Sequence, residues 1–209
     1  MGKVLLATVW KNEPIMKNIA EYDIEKLILV HEEEKLADKG DWDQKSQEIS
    51  EIEESPISDV IEIEKISTGL NELYRVAKDV YKEISDEKRD IIVNITGGRK
   101  MQAIGTLLAA SKTKNVEEAL YWPEEASKVN EKIQVPLFNF LISEKEQKVI
   151  EKVSRHNQAK KIVEDLEMSQ SMVYSHLREL EKKGFLAKED GWTLTDLGEF
   201  MAYEPEEDQ

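Results

Sequence analysis

The chain has 209 residues and a mass of 24.1 kDa, which is enough for one large folded domain or two small ones. Its net charge of −15 excludes a uniformly basic nucleic-acid coat, and the absence of cysteine excludes disulfide bonds and thiolate metal sites. The three histidines, His31, His156 and His176, are too far apart in sequence for a local metal motif, and no apolar run could span a membrane, so we expect a soluble cytoplasmic protein without metal or cofactor.

Four short runs in the first half of the chain have the composition of β-strands, and the first and fourth are apolar almost throughout. They occupy residues 3–9, 26–31, 59–66 and 90–96. Apolar residues at helical spacing lie between them, and such alternation indicates a parallel sheet covered by helices on both faces. A helix at about 101–114 and strands at 118–122 and 133–141 complete a predicted α/β domain with a mostly parallel sheet.

The segment from 31 to 64 is strongly acidic, with thirteen acidic side chains against three lysines. Runs of one charge sign are typical of solvated surface, which predicts an exposed helix or loop between strands. A docking surface for a basic partner is the alternative interpretation.

A turn of sequence Thr96-Gly97-Gly98-Arg99-Lys100 follows the fourth strand and precedes a helix. Glycines allow a ligand to approach the backbone, and a helix N-terminus with two added cations favours an anion, so this turn predicts a phosphate-binding site. It is not a P-loop, because Ile92 and Val93 occupy the region where that motif needs glycine, and no G-x-G-x-x-G is present. A glycine turn with two solvated basic residues is the alternative.

The pattern changes near Ser143, where the parallel-strand signals stop. Three helices are predicted at 144–153, 158–166 and 169–183, and two short strands at 185–188 and 192–195 flank the hairpin signal Asp190-Gly191. We therefore predict one domain at 1–142, a smaller one at 143–203 and a disordered acidic tail at 204–209.

The third helix of the smaller domain is amphipathic. Its apolar stripe comprises Met172, Val173, Leu177 and Leu180, and its outward face carries Gln170, Ser171, Tyr174, Ser175 and Arg178. Two helices joined by a tight link, with polar side chains near the start of the second, form the arrangement that enters a DNA major groove.

The string KKGFLAKEDGWTLTDLGEF resembles the end of the recognition helix, the wing and the following segment of winged helix-turn-helix transcription regulators, over about 60 residues. The resemblance implies double-stranded DNA as a partner, read by the outward face of the helix, with Lys188 of the wing as a further contact. Residues 155–183 carry a charge balance of only +1, so we expect one protomer to bind DNA weakly and a dimer to bind two half-sites. A winged helix used only for protein interaction is the alternative.

Two strings in the larger domain, LLATVWKNEP and NITGGRKMQAIGTLLAA, resemble the two ligand-binding loops of the CARF family, the CRISPR-associated Rossmann-fold sensors. The likeness extends over essentially the whole chain to the archaeal-type winged-helix regulators of that family. It implies a Rossmann-like sheet and a homodimer that binds a cyclic oligoadenylate, commonly cyclic tetra-adenylate, across its twofold axis. The implied contact residues are Thr8, Trp10, Lys11, Thr96, Gly97, Gly98, Arg99 and Lys100. For Trp10, a core or dimer-interface role is the alternative to stacking on adenine.

Three functions follow from this resemblance. The first is a ligand-responsive transcription regulator of CRISPR-Cas defence. The second is a ring nuclease that cleaves its cyclic ligand, with Arg99 or Lys100 stabilising charge, although the sequence identifies no general base. The third is a constitutive dimeric DNA-binding protein whose larger domain serves only as a scaffold.

Overall fold

The computed structural model describes residues 2–69, 72–123, 131–166 and 168–205. The chain forms two compact units, Met1–Phe138 and Asn139–Gln209, which are described separately below. Among the described residues, no helix is both long and apolar enough to cross a membrane. The same residues contain no group of three or more His, Cys, Asp or Glu side chains that could hold a metal ion.

The first unit alternates strands and helices. In chain order its elements are β1 (Lys3–Thr8), α1 (Glu13–Glu21), β2 (Ile24–Glu32), α2 (Lys39–Glu53), β3 (Glu62–Thr68), α3 (Leu73–Ile84), β4 (Ile91–Asn94), α4 (Lys100–Lys112), β5 (Val116–Tyr121) and β6 (Ile133–Val135). Short 3-10 turns at Glu34–Leu36 and Pro56–Asp59 flank α2.

The six strands form one sheet in the order β3-β2-β1-β4-β5-β6. All neighbouring strands are parallel except β6, which runs antiparallel to β5. Strand β1 lies in the middle, with Leu5 paired to Leu27 of β2 on one side and Ile92 of β4 on the other. Chain order reverses between β1 and β4, and open α/β sheets bind ligands at the carboxyl edge of such a switch point.

Burial explains why β1 and β4 read as continuous apolar runs. From Val4 to Val9 and from Ile91 to Val93 every side chain is buried, because helices cover both faces of the sheet. Helix α3 packs tightly on α4: a Cβ on Gly105 of α4 would lie only 2.7 Å from Cγ1 of Val76. The predicted α/β class with a mostly parallel sheet is therefore confirmed.

Several predicted boundaries in this unit were wrong. Strand β2 begins two residues earlier, at Ile24, and β3 is shifted to Glu62–Thr68. The predicted strand at 133–141 ends at Val135, because Pro136 has no N–H to donate to a sheet ladder.

Two large apolar residues in the first half of α4 are exposed. Met101 is 41% exposed and Ile104 is 42% exposed, whereas Leu107 and Leu108 are buried. One face of α4 therefore presents apolar surface to solvent.

The second unit is built of short helices and a hairpin. Its elements are α5 (Glu144–Val153), α6 (Ala159–Asp165), α7 (Gln170–Lys182), β7 (Leu186–Lys188), β8 (Trp192–Leu194) and α8 (Asp196–Ala202), with β7 and β8 antiparallel. Its core gathers apolar side chains from the helices and both strands, among them Val149, Ile150, Ile162, Val173, Leu177, Leu180, Phe185, Trp192 and Phe200.

Local capping defines the helix ends of this unit. The hydroxyl of Ser143 accepts from the N–H of Glu146, that of Ser169 from Met172, and that of Thr195 from Gly198. The prediction that Met172 belongs to the apolar stripe was wrong: it is 38% exposed, because it lies in the first turn of α7, beyond the core. Glu167 and residues 206–209 of the predicted acidic tail lie outside the described residues.

Candidate functional site

The candidate site lies at the carboxyl edge of the sheet, where the loops after β1 and β4 touch through their backbones. Thr8 ends β1 and donates its hydroxyl hydrogen to the carbonyl oxygen of Gly97, 2.7 Å away. A Cβ on Gly97 would lie 2.3 Å from the carbonyl oxygen of Thr8 and 2.6 Å from the nitrogen of Trp10. Only glycine fits this position, so the two loops form one continuous surface.

The second glycine sets the direction of the turn. Gly98 has a φ of +73°, a left-handed conformation that favours glycine. The backbone N–H of Arg99, the residue before α4, donates to Oε1 of Gln102 at 2.8 Å. The turn thus brings Arg99 to the helix N-terminus, where unpaired N–H groups and the helix dipole favour an anion.

The guanidinium of Arg99 lies among three carboxylates. Its Nη2 donates to Oδ2 of Asp41 at 3.0 Å and lies 3.9 Å from Oδ2 of Asp38, while its Nε lies 3.9 Å from Oε1 of Glu32. Asp38 and Asp41 belong to the start of the acidic segment, at the N-cap and first turn of α2. That segment therefore takes part in the geometry of the site, which the sequence did not indicate.

A completely buried ion pair lies behind Arg99. Glu32 at the end of β2 and Lys45 of α2 have no exposed side-chain surface, and Nζ of Lys45 donates to Oε2 of Glu32. Gln102 donates to the same oxygen at 3.3 Å and to the hydroxyl of Thr68 at 3.4 Å. Oε1 of Glu32 is buried without a hydrogen-bond partner among the described residues.

The charge of Glu32 is held by these neighbours. Burial by itself raises the pKa of the Glu32 carboxyl, but the hydrogen bonds from Lys45 and Gln102 and the Lys45 charge outweigh it and lower that pKa. Glu32 is therefore ionised at neutral pH, and a buried carboxylate faces the Nε of Arg99.

A cleft of about 90 Å³ opens beside the turn, with aromatic and cationic walls. It is lined by Trp10, Lys11, Glu13, Pro14, Lys17, Thr96, Gly97, Trp122 and Pro123. Nζ of Lys17 lies 5.1 Å from the ring centroid of Trp122, and Nζ of Lys45 lies 5.2 Å from that of Trp10. Lys45 is completely buried, so the ammonium groups that reach the cleft are those of Lys11 and Lys17. Indole rings together with these ammonium groups suit a ligand that carries both aromatic bases and phosphates.

Hydrogen bonds fix the walls of this cleft. The N–H of Trp122 donates to the hydroxyl of Thr96 at 2.9 Å, and the indole N–H of Trp122 donates to Oδ1 of Asn18 at 3.4 Å. Asn94 donates to the same oxygen of Asn18 at 2.5 Å and accepts from the N–H of Thr96 at 2.9 Å. These amide side chains join α1 to the ends of β4 and β5, so the cleft is built on regular elements.

The structure brings together most, but not all, of the predicted ligand-binding residues. Trp10, Lys11, Thr96 and Gly97 line the cleft. Thr8 is buried, and its hydroxyl bonds within the protein. Gly98 and Arg99 follow on the same turn, with the guanidinium directed to α2, and Lys100 is the exposed first residue of α4.

Four residues of this edge were missed by sequence reasoning: Lys17, Asn18, Lys45 and Trp122. Trp122 is the last residue of the strand predicted at 118–122 and directly follows β5 in the structure, a position at the carboxyl edge that could have drawn attention to it. Lys17 and Asn18 lie in the middle of α1, and Lys45 lies inside an acidic helix, so their sequence contexts carry no signal.

In the second unit, the outward face of α7 forms a shallow groove of about 380 Å³. It is lined by Ser171, Tyr174, Ser175, Arg178, Glu179 and Lys182. Gln170 is exposed at the start of the same helix, and Lys188 of β7 is exposed on the hairpin, with Nζ 5.3 Å from the ring of Trp192. The predicted DNA-contacting side chains on α7 thus share one face, with one carboxylate beside two cations.

Fold and site together define an α/β protein with a candidate site at the switch point of its sheet. Residues 6–127, more than half of the chain, match the protein family described as "HFX_2341_N:-like, N-terminal", and the chain belongs to that family. No curated protein matches the chain.

Three solved structures resemble the chain at low identity. Can2 from Sulfobacillus thermosulfidooxidans, in complex with cyclic tetra-adenylate, is 10% identical over 96% of this chain and 63% of its own, with a TM-score of 0.46. Csm6 from Enterococcus italicus, bound to cyclic hexa-2'-fluoro-hexa-dAMP, is 12% identical over 88% and 49%, with a TM-score of 0.49. A type III CRISPR defence DNA nuclease activated by cyclic oligoadenylate is 15% identical over 58% and 19%, with a TM-score of 0.43. The chain thus matches less than two thirds of the length of each of these proteins.

Proposed function

We propose that this protein is a cyclic oligoadenylate sensor of CARF type that regulates transcription in CRISPR-Cas defence by binding DNA as a homodimer. The observation that carries the proposal is the joined surface of the two loops LLATVWKNEP and NITGGRK, which with Trp122 after β5 supplies indole rings, ammonium groups and a helix N-terminus at one sheet edge. A cyclic oligoadenylate has the matching chemistry, because it presents adenine rings and a ring of phosphodiesters.

The exposed apolar face of α4 supports the dimer. Met101 and Ile104 are both more than 40% exposed on a helix whose first residue, Lys100, directly follows the turn. A second copy that covers this face by twofold symmetry brings two turns close together, so that a symmetric ligand meets the same contacts twice.

The arrangement of the second unit supports DNA as the partner. A winged helix-turn-helix consists of two helices and a hairpin, and helices α6 and α7, the hairpin β7–β8 and the buried α7 stripe of Val173, Leu177 and Leu180 agree with that arrangement. In this proposal α7 is the recognition helix and β7–β8 the wing. The groove on α7 offers hydroxyl groups and the cations of Arg178 and Lys182 to bases and phosphates.

Calorimetric titration of the purified protein with cyclic tri-, tetra- and hexa-adenylate tests the ligand. We expect saturable binding of one ring per dimer, with cyclic tetra-adenylate preferred. Chromatography of the same mixtures shows whether the ring is cleaved, which separates a sensor from a ring nuclease. Failure of every ring size to bind would contradict the proposal.

DNA binding is tested by comparing Arg178→Ala with Lys148→Ala, since both remove an exposed cation, from α7 and α5 respectively. We expect Arg178→Ala to weaken operator binding by about tenfold as one charge-assisted contact per protomer is lost, and Lys148→Ala to have little effect. Equal affinities at low salt would favour a protein-interaction module.

A regulator also requires coupling between the two sites. Titration of operator DNA without ligand and at saturating ligand, in identical salt, is expected to give affinities that differ by a factor of roughly 5 to 150. Overlapping titration curves would show that ligand binding and DNA binding are not coupled, which would contradict a sensing function.

A further inference from the structure

Helix α2, which carries much of the acidic segment, lies against both loops of the proposed ligand site through its carboxylates. Asp41 accepts from Arg99 of the second loop at 3.0 Å. Glu48 accepts from the backbone N–H of Asn12, in the first loop, at 2.8 Å, and Glu51 accepts from the Asn12 side chain at 2.8 Å. Donors on both loops are therefore bonded to carboxylates of one helix.

The position of α2 is fixed by groups on the same face. Asp41, Lys45 and Glu48 follow one another at spacings of four and three residues, so they lie on one side of the helix. Lys45 is anchored on buried Glu32, and Ile49 and Ile52 are buried in the core. Asp41 thus stands one turn from a buried anchor, which keeps its carboxylate at the Arg99 guanidinium.

We infer that α2 is an internal competitor for the ligand's phosphates, and that Asp41 is the residue that sets the affinity of the site. This inference rests on the proposed function and explains why so acidic a segment borders an anion site. A phosphodiester that accepts a hydrogen bond from Nη2 of Arg99 must displace the Asp41 carboxylate, because Asp41 already accepts from that nitrogen at 3.0 Å and repels a second anion there. The exchange keeps the guanidinium paired in both states and releases the Asp41 carboxylate, whose side chain is 42% exposed, to water.

The test compares Asp41→Asn with Asp43→Asn, since each variant removes one negative charge and the two positions are two residues apart on α2. Asp43 is exposed, and among the described residues the structure records no ion pair for it. Both variants and the wild type are titrated with cyclic tetra-adenylate and, separately, with inorganic tripolyphosphate, a polyanion without bases. Thermal melting confirms that each variant is folded, and Asp41→Ala is the second variant at that position.

We expect Asp41→Asn to bind both probes at least roughly threefold more tightly than the wild type, and Asp43→Asn to differ by less than about twofold. An affinity of Asp41→Asn equal to or below the wild-type value overturns the inference, whatever the wild type binds. If the wild type binds no cyclic tetra-adenylate but Asp41→Asn strengthens tripolyphosphate binding, the inference that α2 competes for phosphates is supported and the proposed ligand is contradicted. Absence of binding of either probe to every variant overturns both.

Discussion

Each unit of the protein contains a Glu–Lys pair with little or no exposed surface on the glutamate, and the two pairs differ in how their remaining hydrogen-bonding groups are used. Glu146 of α5 accepts from Lys183 at 2.7 Å and also from the N–H and hydroxyl of Ser143, so both of its oxygens are satisfied. Glu32, by contrast, has one oxygen on Lys45 and one without a hydrogen bond, facing Arg99.

This difference separates a pair that closes a helix end from a pair that borders the candidate site. The Glu146 pair joins the start of α5 to the end of α7 and consists of local capping contacts plus one long-range bond. The Glu32 pair joins β2, α2 and, through Gln102, α4, and it leaves a charge for Arg99. An incompletely satisfied buried carboxylate is unfavourable for stability, which distinguishes the Glu32 pair from the Glu146 pair.

The largest expected effect is at the fully buried pair. Lys45→Met leaves the Glu32 carboxylate buried without its cation, and we expect a loss of about 3–5 kcal/mol in the free energy of unfolding of the first unit, measured by urea denaturation. Lys65→Met, which removes an exposed pair with Glu53, should cost less than about 1 kcal/mol. Equal losses in the two variants would show that the pair is not a special feature of this edge.

A smaller effect is expected from acid at the capped pair. Burial raises the pKa of Glu146, but its bonds to Lys183 and Ser143 outweigh this and lower the pKa to about 2, from an ordinary value of 4.5. Because the folded-state pKa is the lower one, the stabilisation is complete above pH 4.5 and is lost as the pH falls towards 2, a total of about 2–3 kcal/mol.

The variant Glu146→Gln isolates this group from the other carboxylates. The difference in unfolding free energy between wild type and Glu146→Gln should be constant above about pH 5 and shrink below it. A difference that does not change between pH 5 and pH 3 would contradict the lowered pKa. Thermal melts at matched ionic strength provide the measurement.

The smallest expected change in free energy concerns the affinity for the ligand at Arg99 and not the stability of the fold. Arg99→Ala removes one charge-assisted contact per protomer, and we expect cyclic tetra-adenylate affinity to fall at least roughly tenfold, about 1.4 kcal/mol, with an almost unchanged melting temperature. Lys114→Ala removes an exposed cation after α4 and is the matched control. Unchanged affinity in Arg99→Ala would remove the turn from the binding site.

Sequence reasoning identified what depends on local pattern. The sequence predicts β1 and β4 correctly, because strands buried on both faces require apolar residues throughout. It also predicts the turn between β4 and α4, because a positive φ favours glycine. The polar face of α7 is also predictable, because helical periodicity determines which side chains lie on the same side of the helix.

The remaining features depend on contacts between distant residues. In the sequence, Lys45 is one of three lysines in an acidic segment and carries no distinguishing signal. Only the packing of α2 against β2 pairs it with the buried Glu32. Met101 and Met172 have the spacing of core residues, yet each lies in the first turn of its helix, at the margin of its unit. Lys17 and Trp122 meet across α1 and β5, which no pattern in either segment indicates.

The backbone contact at Gly97 has a consequence for mutational mapping of the protein. Any side chain there collides with main-chain atoms of Thr8 and Trp10, which cannot move aside as a flexible side chain would. Substitutions at Gly97 should therefore be eliminated by misfolding in a saturation screen, whichever activity is selected. Loss of function at that codon reports on protein abundance, whereas loss of function at the exposed Lys100, three residues later, would test the proposed ligand contact.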